Sequence, residues 1–275
     1  MIMPKLRCPV CGGELSLEGR AYRCEKGHSY DVAKQNYVNL LMSNRSSSKR
    51  HGDDKLMVKA RKDFLERNYY LFLREEICRL ALDCRKEGTV DFLDAGCGEG
   101  WYTSALREAL EQSGGCSCRG VDISKEALMA AGRRDKSALW AVGSINSLPV
   151  GDESCDIILN VFAPHDDGEF RRALRPGGIV IKVMPLESHL WGLKKAVYAK
   201  PYLNGPAEYS PEGFEPVCRS EKRAMLRLES AEDIRNLFMM TPYYYKTGRE
   251  VQEKLRALNY LETEADFAIC VLRKK

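Results

Sequence analysis

The segment Val90-Asp91-Phe92-Leu93-Asp94-Ala95-Gly96-Cys97-Gly98-Glu99-Gly100 constrains the fold of this chain more than any other. Its first six residues read as a buried strand. The glycines that follow let the backbone turn sharply and approach a ligand closely at the strand's carboxyl end, where doubly wound α/β sheets bind their ligands. A helix is expected to start near Trp101. The turn lacks the last glycine of G-x-G-x-x-G, so it carries no pyrophosphate fingerprint. Asp122 follows 24 residues after Gly98, closing Arg119-Gly120-Val121-Asp122-Ile123-Ser124. A carboxylate at the end of that next strand can accept both hydroxyls of a ribose, although alone it would also serve as an ordinary helix cap.

The rest of the chain agrees with such a sheet. Strands are expected at 89–95, 117–122, 138–143, 155–161 and 178–184, with helices near 101–112, 125–134, 167–174 and 189–199. This alternation implies a mostly parallel sheet covered on both faces. Upstream, Met57, Ala60, Phe64, Leu65, Leu71, Phe72, Ile77, Leu80 and Ala81 are spaced for one or two amphipathic helices between about Lys55 and Arg85. Downstream, helices near 230–239 and 249–258 and the apolar run Phe267 to Leu272 suit an antiparallel edge.

Residues 5–30 follow a different rule. They show no helical period and cannot bury enough apolar surface to fold without a staple. Cys8-Pro9-Val10-Cys11 and Cys24-Glu25-Lys26-Gly27-His28, separated by twelve residues, supply one. Two turns that each offer a pair of soft ligands make a closed tetrahedral site suited to Zn²⁺, and with four protein ligands the metal is structural. A thioredoxin-like C-x-x-C would need a strand-to-helix junction, which this segment does not provide.

Charge is unevenly distributed. Residues 1–60 hold eleven Lys and Arg against six Asp and Glu, about +5, whereas the whole chain carries +4. A local basic surface of this kind points to a polyanion at the N-terminal part. Lys5, Arg7, Arg20, Arg23, Lys26 and Lys34, interleaved with Tyr22, Tyr30 and Tyr37, are candidates for contacting RNA by charge and stacking, against the plainer reading of a solvated face. The stretch SNRSSSKRHGDD reads as a linker, which divides the chain into a zinc module at 1–42, a basic linker at 43–56 and a catalytic domain at 57–275. No stretch approaches the roughly 18 apolar residues of a membrane span, and the start has no apolar signal core, so a cytoplasmic location without membrane contact is expected.

The glycine turn with Asp122, and Leu174-Arg175-Pro176-Gly177-Gly178 before a strand, resemble the class I S-adenosylmethionine-dependent methyltransferases. That resemblance implies a Rossmann-like sheet of seven strands with the zinc knuckle appended. Ser144 departs from the aspartate that many relatives use for the adenine amine. Over nearly its whole length the chain resembles the RlmA-type 23S rRNA (guanine-N1)-methyltransferases. The matches are the knuckle running into His28-Ser29-Tyr30-Asp31-Val32-Ala33-Lys34-Gln35-Asn36-Tyr37, then Gly52-Asp53, Met57-Val58-Lys59-Ala60-Arg61, Asn160-Val161-Phe162-Ala163-Pro164, His189-Leu190 and Met240-Thr241-Pro242-Tyr243.

This resemblance implies zinc ligands at Cys8, Cys11, Cys24 and His28, and cofactor contacts at Tyr70, Gly98, Glu99 and His189. Asp94, Gly96, Asp122 and Asn160 complete the expected cofactor set. Read without the resemblance, Tyr70 is a half-buried helical aromatic and His189 a helix-start residue. The family's substrate is a hairpin of 23S rRNA, and one branch contributes to resistance against some macrolides. A homodimer would suit the clamping of a folded RNA.

An activated sulfonium methyl asks mainly for positioning, but the proton on guanine N1 must leave, and Glu99, Asp166, Asp167 and His189 are candidate acceptors. Val161 to Pro164 would form an apolar wall for an extruded base. Two rivals stand beside this reading. One is a methyltransferase acting on a small-molecule acceptor, whose binding would be insensitive to salt. The other is an RNA-binding adaptor that has lost its activity, against which the intact glycine turn, Tyr70 and Asp122 argue.

Overall fold

The computed structural model describes residues 5–42 and 52–275. Most of the expected linker, 43–51, lies outside them, and the last linker positions already belong to a helix that starts at Lys55.

The N-terminal module is a four-stranded antiparallel sheet of β1 (Leu6–Arg7), β2 (Glu14–Glu18), β3 (Ala21–Arg23) and β4 (Ser29–Asp31). Then follow β5 (Tyr37–Asn39), α1 (Lys55–Glu66), α2 (Leu71–Cys84), β6 (Val90–Ala95), α3 (Trp101–Gln112), β7 (Cys116–Asp122), α4 (Lys125–Arg134), β8 (Leu139–Val142), β9 (Cys155–Val161), α5 (Asp167–Ala173), β10 (Leu174–Pro185), α6 (Trp191–Val197), β11 (Phe214–Leu228), α7 (Ala231–Met239), α8 (Arg249–Arg256) and β12 (Leu261–Lys274).

The large sheet has the order β11-β12-β10-β9-β6-β7-β8-β5. It is parallel from β5 to β10, and β12 and β11 close it as antiparallel strands. Among the described residues this sheet has eight strands rather than the expected seven. The additional one is β5, whose three residues pair with Trp140, Ala141 and Val142. Those partners lie about a hundred positions along the chain, beyond the reach of any local pattern. The large sheet thus begins before residue 42, inside the N-terminal unit.

β11 was missed for a different reason. It is an edge strand, exposed over most of its length, so its charged residues fall on both faces and hide the alternation expected of a half-buried strand. The break between α1 and α2 comes where Asn68 takes φ +62°.

Leu6, Cys8, Leu15 and Tyr22 of the small module share a core with Leu93, Val121 and Ala141 on one face of the large sheet. Arg7 N donates to Pro149 O at 3.0 Å, and the buried Arg119 donates to Lys5 O at 3.0 Å. The helices α1, α2, α3, α6 and α7 pack against the opposite face around Phe64, Leu73, Leu106, Leu193 and Leu237. Between β6 and β9, which are parallel, the order in which the chain adds strands reverses, the switch point at which such sheets open a ligand crevice. Among the described residues no helix is long and apolar enough to cross a membrane.

Candidate active site and metal centre

The ligand atoms of Cys8, Cys11, Cys24 and His28 lie within 4.8 Å of one another. Each pair sits on a tight turn: Gly12 N donates to Cys8 O and Gly27 N to Cys24 O, both at 2.9 Å, with φ of +74° and +81° at the two glycines. The Sγ atoms of Cys11 and Cys24 are 3.6 Å apart, close to the edge of about 3.8 Å that a tetrahedron with Zn–S bonds of about 2.3 Å requires. The donor set and its spacing therefore fit zinc, in a closed structural role.

The basic residues around this centre divide. Lys5 pairs with Glu14, Arg7 with Asp152 and Arg23 with Glu18, whereas Arg20, Lys26 and Lys34 are exposed. Tyr22 and Tyr37 are buried and cannot stack on a base, contrary to expectation, because Tyr22 joins the core shared with the large sheet and Tyr37 lies within that sheet on β5. Tyr30 is half-buried, with its hydroxyl 3.3 Å from Cys8 Sγ.

At the switch point, Gly96, Gly98 and Gly100 all take positive φ, +90°, +55° and +77°. At Gly96 close approach leaves no alternative to glycine, since a Cβ there would lie 2.3 Å from Ala163 Cβ. The Asp122 carboxylate accepts from Gly98 N at 2.9 Å and from Ser124 N at 2.8 Å, so the acid at the end of β7 also holds the glycine turn in shape. Burial raises its pKa. Asp94 accepts from Thr103 Oγ1 at 2.6 Å, and burial pushes its carboxyl up to about 7. Glu99 is 2% exposed and is likewise raised by burial. Among the described residues, the buried Asp94 Oδ1, Glu99 Oε2 and Tyr102 hydroxyl find no hydrogen-bond partner. Buried acceptors left open around a glycine turn suit a ligand that brings its own donors and positive charge.

On the other side of the crevice stands a group of rings. Tyr70 meets Phe267 edge-on at 5.0 Å, and His189 lies 4.7 Å from Phe267. Phe162, 46% exposed and at φ +53°, is nearly parallel to His189 at 6.4 Å. The strained backbone aims an apolar ring outward, which an ordinary loop would avoid. His189 Nδ1 accepts from Asp266 N at 3.3 Å, and burial lowers its pKa to about 3. The ring is therefore neutral with its proton on Nε2, a donor rather than an acceptor at that nitrogen.

The remaining expected residues are placed as follows. Asp166 caps α5 by accepting from Glu169 N through Oδ1, and Asp167 accepts from Tyr209 Oη at 2.7 Å. Asn160 spends its amide on the protein: Nδ2 donates to Ala95 O and Pro164 O, and Oδ1 accepts from the buried Lys182 at 2.6 Å. It ties the 160–164 loop to the glycine turn. Ser144 Oγ accepts from Asn146 N. Phe267, Tyr102 and Arg61 were not foreseen. Phe267 was hidden in an apolar run, and Arg61 lay in a matched segment to which no chemistry had been attached.

Comparisons with known proteins agree with this geometry. Residues 6–49 match the N-terminal zinc-ribbon model of the RlmA family, and residues 93–182 match a methyltransferase-domain model. A 23S rRNA (guanine(748)-N(1))-methyltransferase of Streptomyces fradiae is 36% identical over 230 residues, covering 82% of this chain and 80% of that protein. A Micromonospora griseorubida protein provisionally named for 23S rRNA guanine-N(1) methylation is 33% identical over 270 residues, covering 90% and 88%. Among solved structures, the YcgJ protein of Bacillus subtilis shares the fold at TM-score 0.50 and 15% identity, covering 73% of this chain and 99% of its own. The cofactor of the methyltransferase domain is S-adenosylmethionine, and the residues at the glycine turn fit it: a carboxylate for the ribose and open buried acceptors for a cationic ligand. With its zinc ribbon, its methyltransferase sheet and these relatives, the chain belongs to the RlmA-type family of 23S rRNA (guanine-N1)-methyltransferases.

Proposed function

We propose that this protein transfers the methyl group of S-adenosylmethionine to N1 of a guanine in a hairpin loop of 23S rRNA. The observation that carries the reading is the exposed Phe162 ring, set on strained backbone next to the glycine turn and backed by His189 and Phe267. A flat apolar wall at that position suits a purine taken out of its stack, and a loop nucleotide costs less to extrude than a paired one. Exposed Arg20, Lys26 and Lys34 on the zinc module supply phosphate contacts.

The cofactor supplies an electrophilic methyl on a sulfonium. The protein's part is to hold the ribose through Asp122, to seat the cofactor against Gly96, Gly98 and Glu99 near Tyr70 and His189, and to present the base in line. His189 Nδ1 is committed to Asp266 N, so this imidazole acts as a neutral donor or wall and does not take the N1 proton through that atom. Asp166, which caps α5 through Oδ1, and Asp167, which accepts from Tyr209 through Oδ1, remain the candidate acceptors, whereas the buried Glu99 belongs to the cofactor turn.

The test is methyl transfer from labelled S-adenosylmethionine to 23S rRNA lacking its natural modifications, with mapping of reverse-transcription stops, because N1 methylation blocks the pairing edge. One stop at a hairpin-loop guanine is expected, with substrate binding that weakens steeply as salt rises. Cofactor binding without incorporation into rRNA would replace this reading with a small-acceptor enzyme.

A further inference from the structure

The crevice contains a cation to which none of the expected contacts assigned a part. Arg61, on α1, forms an ion pair with Asp53 through Nη1. The same Nη1 lies 3.6 Å from the point where a side chain on Gly98 would begin. The acidic groups acting on it are Asp53, Glu99 and Asp122. Among the described residues, its Nε and Nη2 make no hydrogen bond, so a group with five donors is only partly used.

Its position is braced from the cofactor side. Ser124 Oγ donates to Asp53 O at 2.7 Å, and Gly52 packs so closely that a Cβ would sit 2.9 Å from Ile123 Cγ2. The turn that carries Asp122 therefore also fixes the partner of Arg61. The neighbouring cations are otherwise engaged: Arg134 donates to Glu99 O and Glu66, and Arg74 lies over the Trp101 ring at 4.0 Å.

Close to Arg61, Glu99 Oε2 and the Tyr102 hydroxyl are buried without partners. A partly used guanidinium, an open carboxylate oxygen and an open phenol around one turn form a recognition set for a zwitterion, with the cation taking a carboxylate and the anion an ammonium. We propose that Arg61 binds the carboxylate at the amino-acid end of the cofactor, and that Glu99 takes the ammonium beside it. The inference rests on the placing of S-adenosylmethionine at this glycine turn.

Two ligands separate the possibilities by calorimetry on the full-length, zinc-loaded protein. S-adenosylhomocysteine carries the amino-acid end; methylthioadenosine has the same nucleoside and sulfur without it. Arg61→Met should weaken S-adenosylhomocysteine roughly ten- to a hundredfold, the value of a charge-assisted hydrogen bond, and change methylthioadenosine by less than about threefold. Arg61→Lys should recover part of the loss for the first ligand only. Equal losses for both ligands, or an unchanged affinity for S-adenosylhomocysteine, would overturn the assignment and leave Arg61 as a brace for the Asp53 turn. Binding of neither ligand by the unmodified protein would overturn the cofactor placement itself, and this inference with it.

Discussion

Gly96→Ala is the substitution most sharply forbidden by this structure. The residue sits at φ +90°, and its new Cβ would lie 2.3 Å from Ala163 Cβ, an atom attached directly to backbone that cannot swing away. The left-handed backbone costs roughly 1–2 kcal/mol for a non-glycine residue, and overpacking typically adds about 1–3 kcal/mol. A total of about 2–5 kcal/mol would lower Tm by roughly 5–15 °C in a chain of this size. Ala163 belongs to the loop that presents Phe162, so whatever relief the protein finds comes from pushing that loop away from the glycine turn. Methyl transfer should therefore fall further than stability alone would require. The double variant Gly96→Ala with Ala163→Gly removes the contact and keeps the backbone strain, so it should recover about half of the lost Tm and part of the rate. Thermal melting and single-turnover methyl transfer on the parent, the single and the double variant are the assay. A single variant that melts within about 2 °C of the parent, with no further gain in the double, would refute the close approach between β6 and the 160–164 loop.

Two further outcomes follow from the metal centre and from the buried titrating groups. Stripping the metal with a chelator, or Cys24→Ser, should remove a single zinc from the protein. It should also lower Tm of the whole chain, because Leu6, Cys8, Leu15 and Tyr22 share a core with the large sheet; metal loss with an unchanged melt would sink that coupling. For His189, burial holds the folded pKa near 3 against an ordinary 6.5, so the unfolded chain binds a proton that the native one refuses, and stability falls as pH drops from 6.5 toward 3. Asp94 works in the opposite sense: raised to about 7, it favours the folded state increasingly as pH falls from there toward 4, so the His189 effect must be read as a difference. Between pH 7 and pH 5, His189→Gln should lose about 2 kcal/mol less stability than the parent in urea titrations; identical losses would mean that the imidazole is not held neutral.

The legible parts of this protein were those encoded over short distances. The knuckle ligands Cys8, Cys11, Cys24 and His28 could be read because two turns with adjacent glycines specify ligand spacing within a few residues. The glycine turn and Asp122 could be read because they end consecutive strands that are themselves continuous apolar runs. The expected core strands and helices lie within a few residues of those observed, and the class of the sheet follows from their alternation.

Other features depend on which surfaces face one another in the folded chain. Tyr22 and Tyr37 look like stacking residues in sequence and are core residues in the fold, since burial depends on the sheet they pack against. Asn160 acquires a tethering role that no local pattern announces, because Lys182, Ala95 and Pro164 engage its amide. β5 and β11 acquire their status as strands from partners far along the chain or from an exposed edge that masks the period. Phe162, His189 and Phe267 come from three distant segments, and Arg61 from a fourth near the glycine turn, so their chemistry exists only once the sheet has closed. The Cys/His cluster, the glycine turn and the fold class are written in short stretches of sequence, because backbone conformation and ligand spacing are local. The ring group around Phe162, the engaged and open donors and the placing of Arg61 beside the glycine turn come from long-range packing, because burial and hydrogen-bond partnership belong to pairs of surfaces and to no single segment.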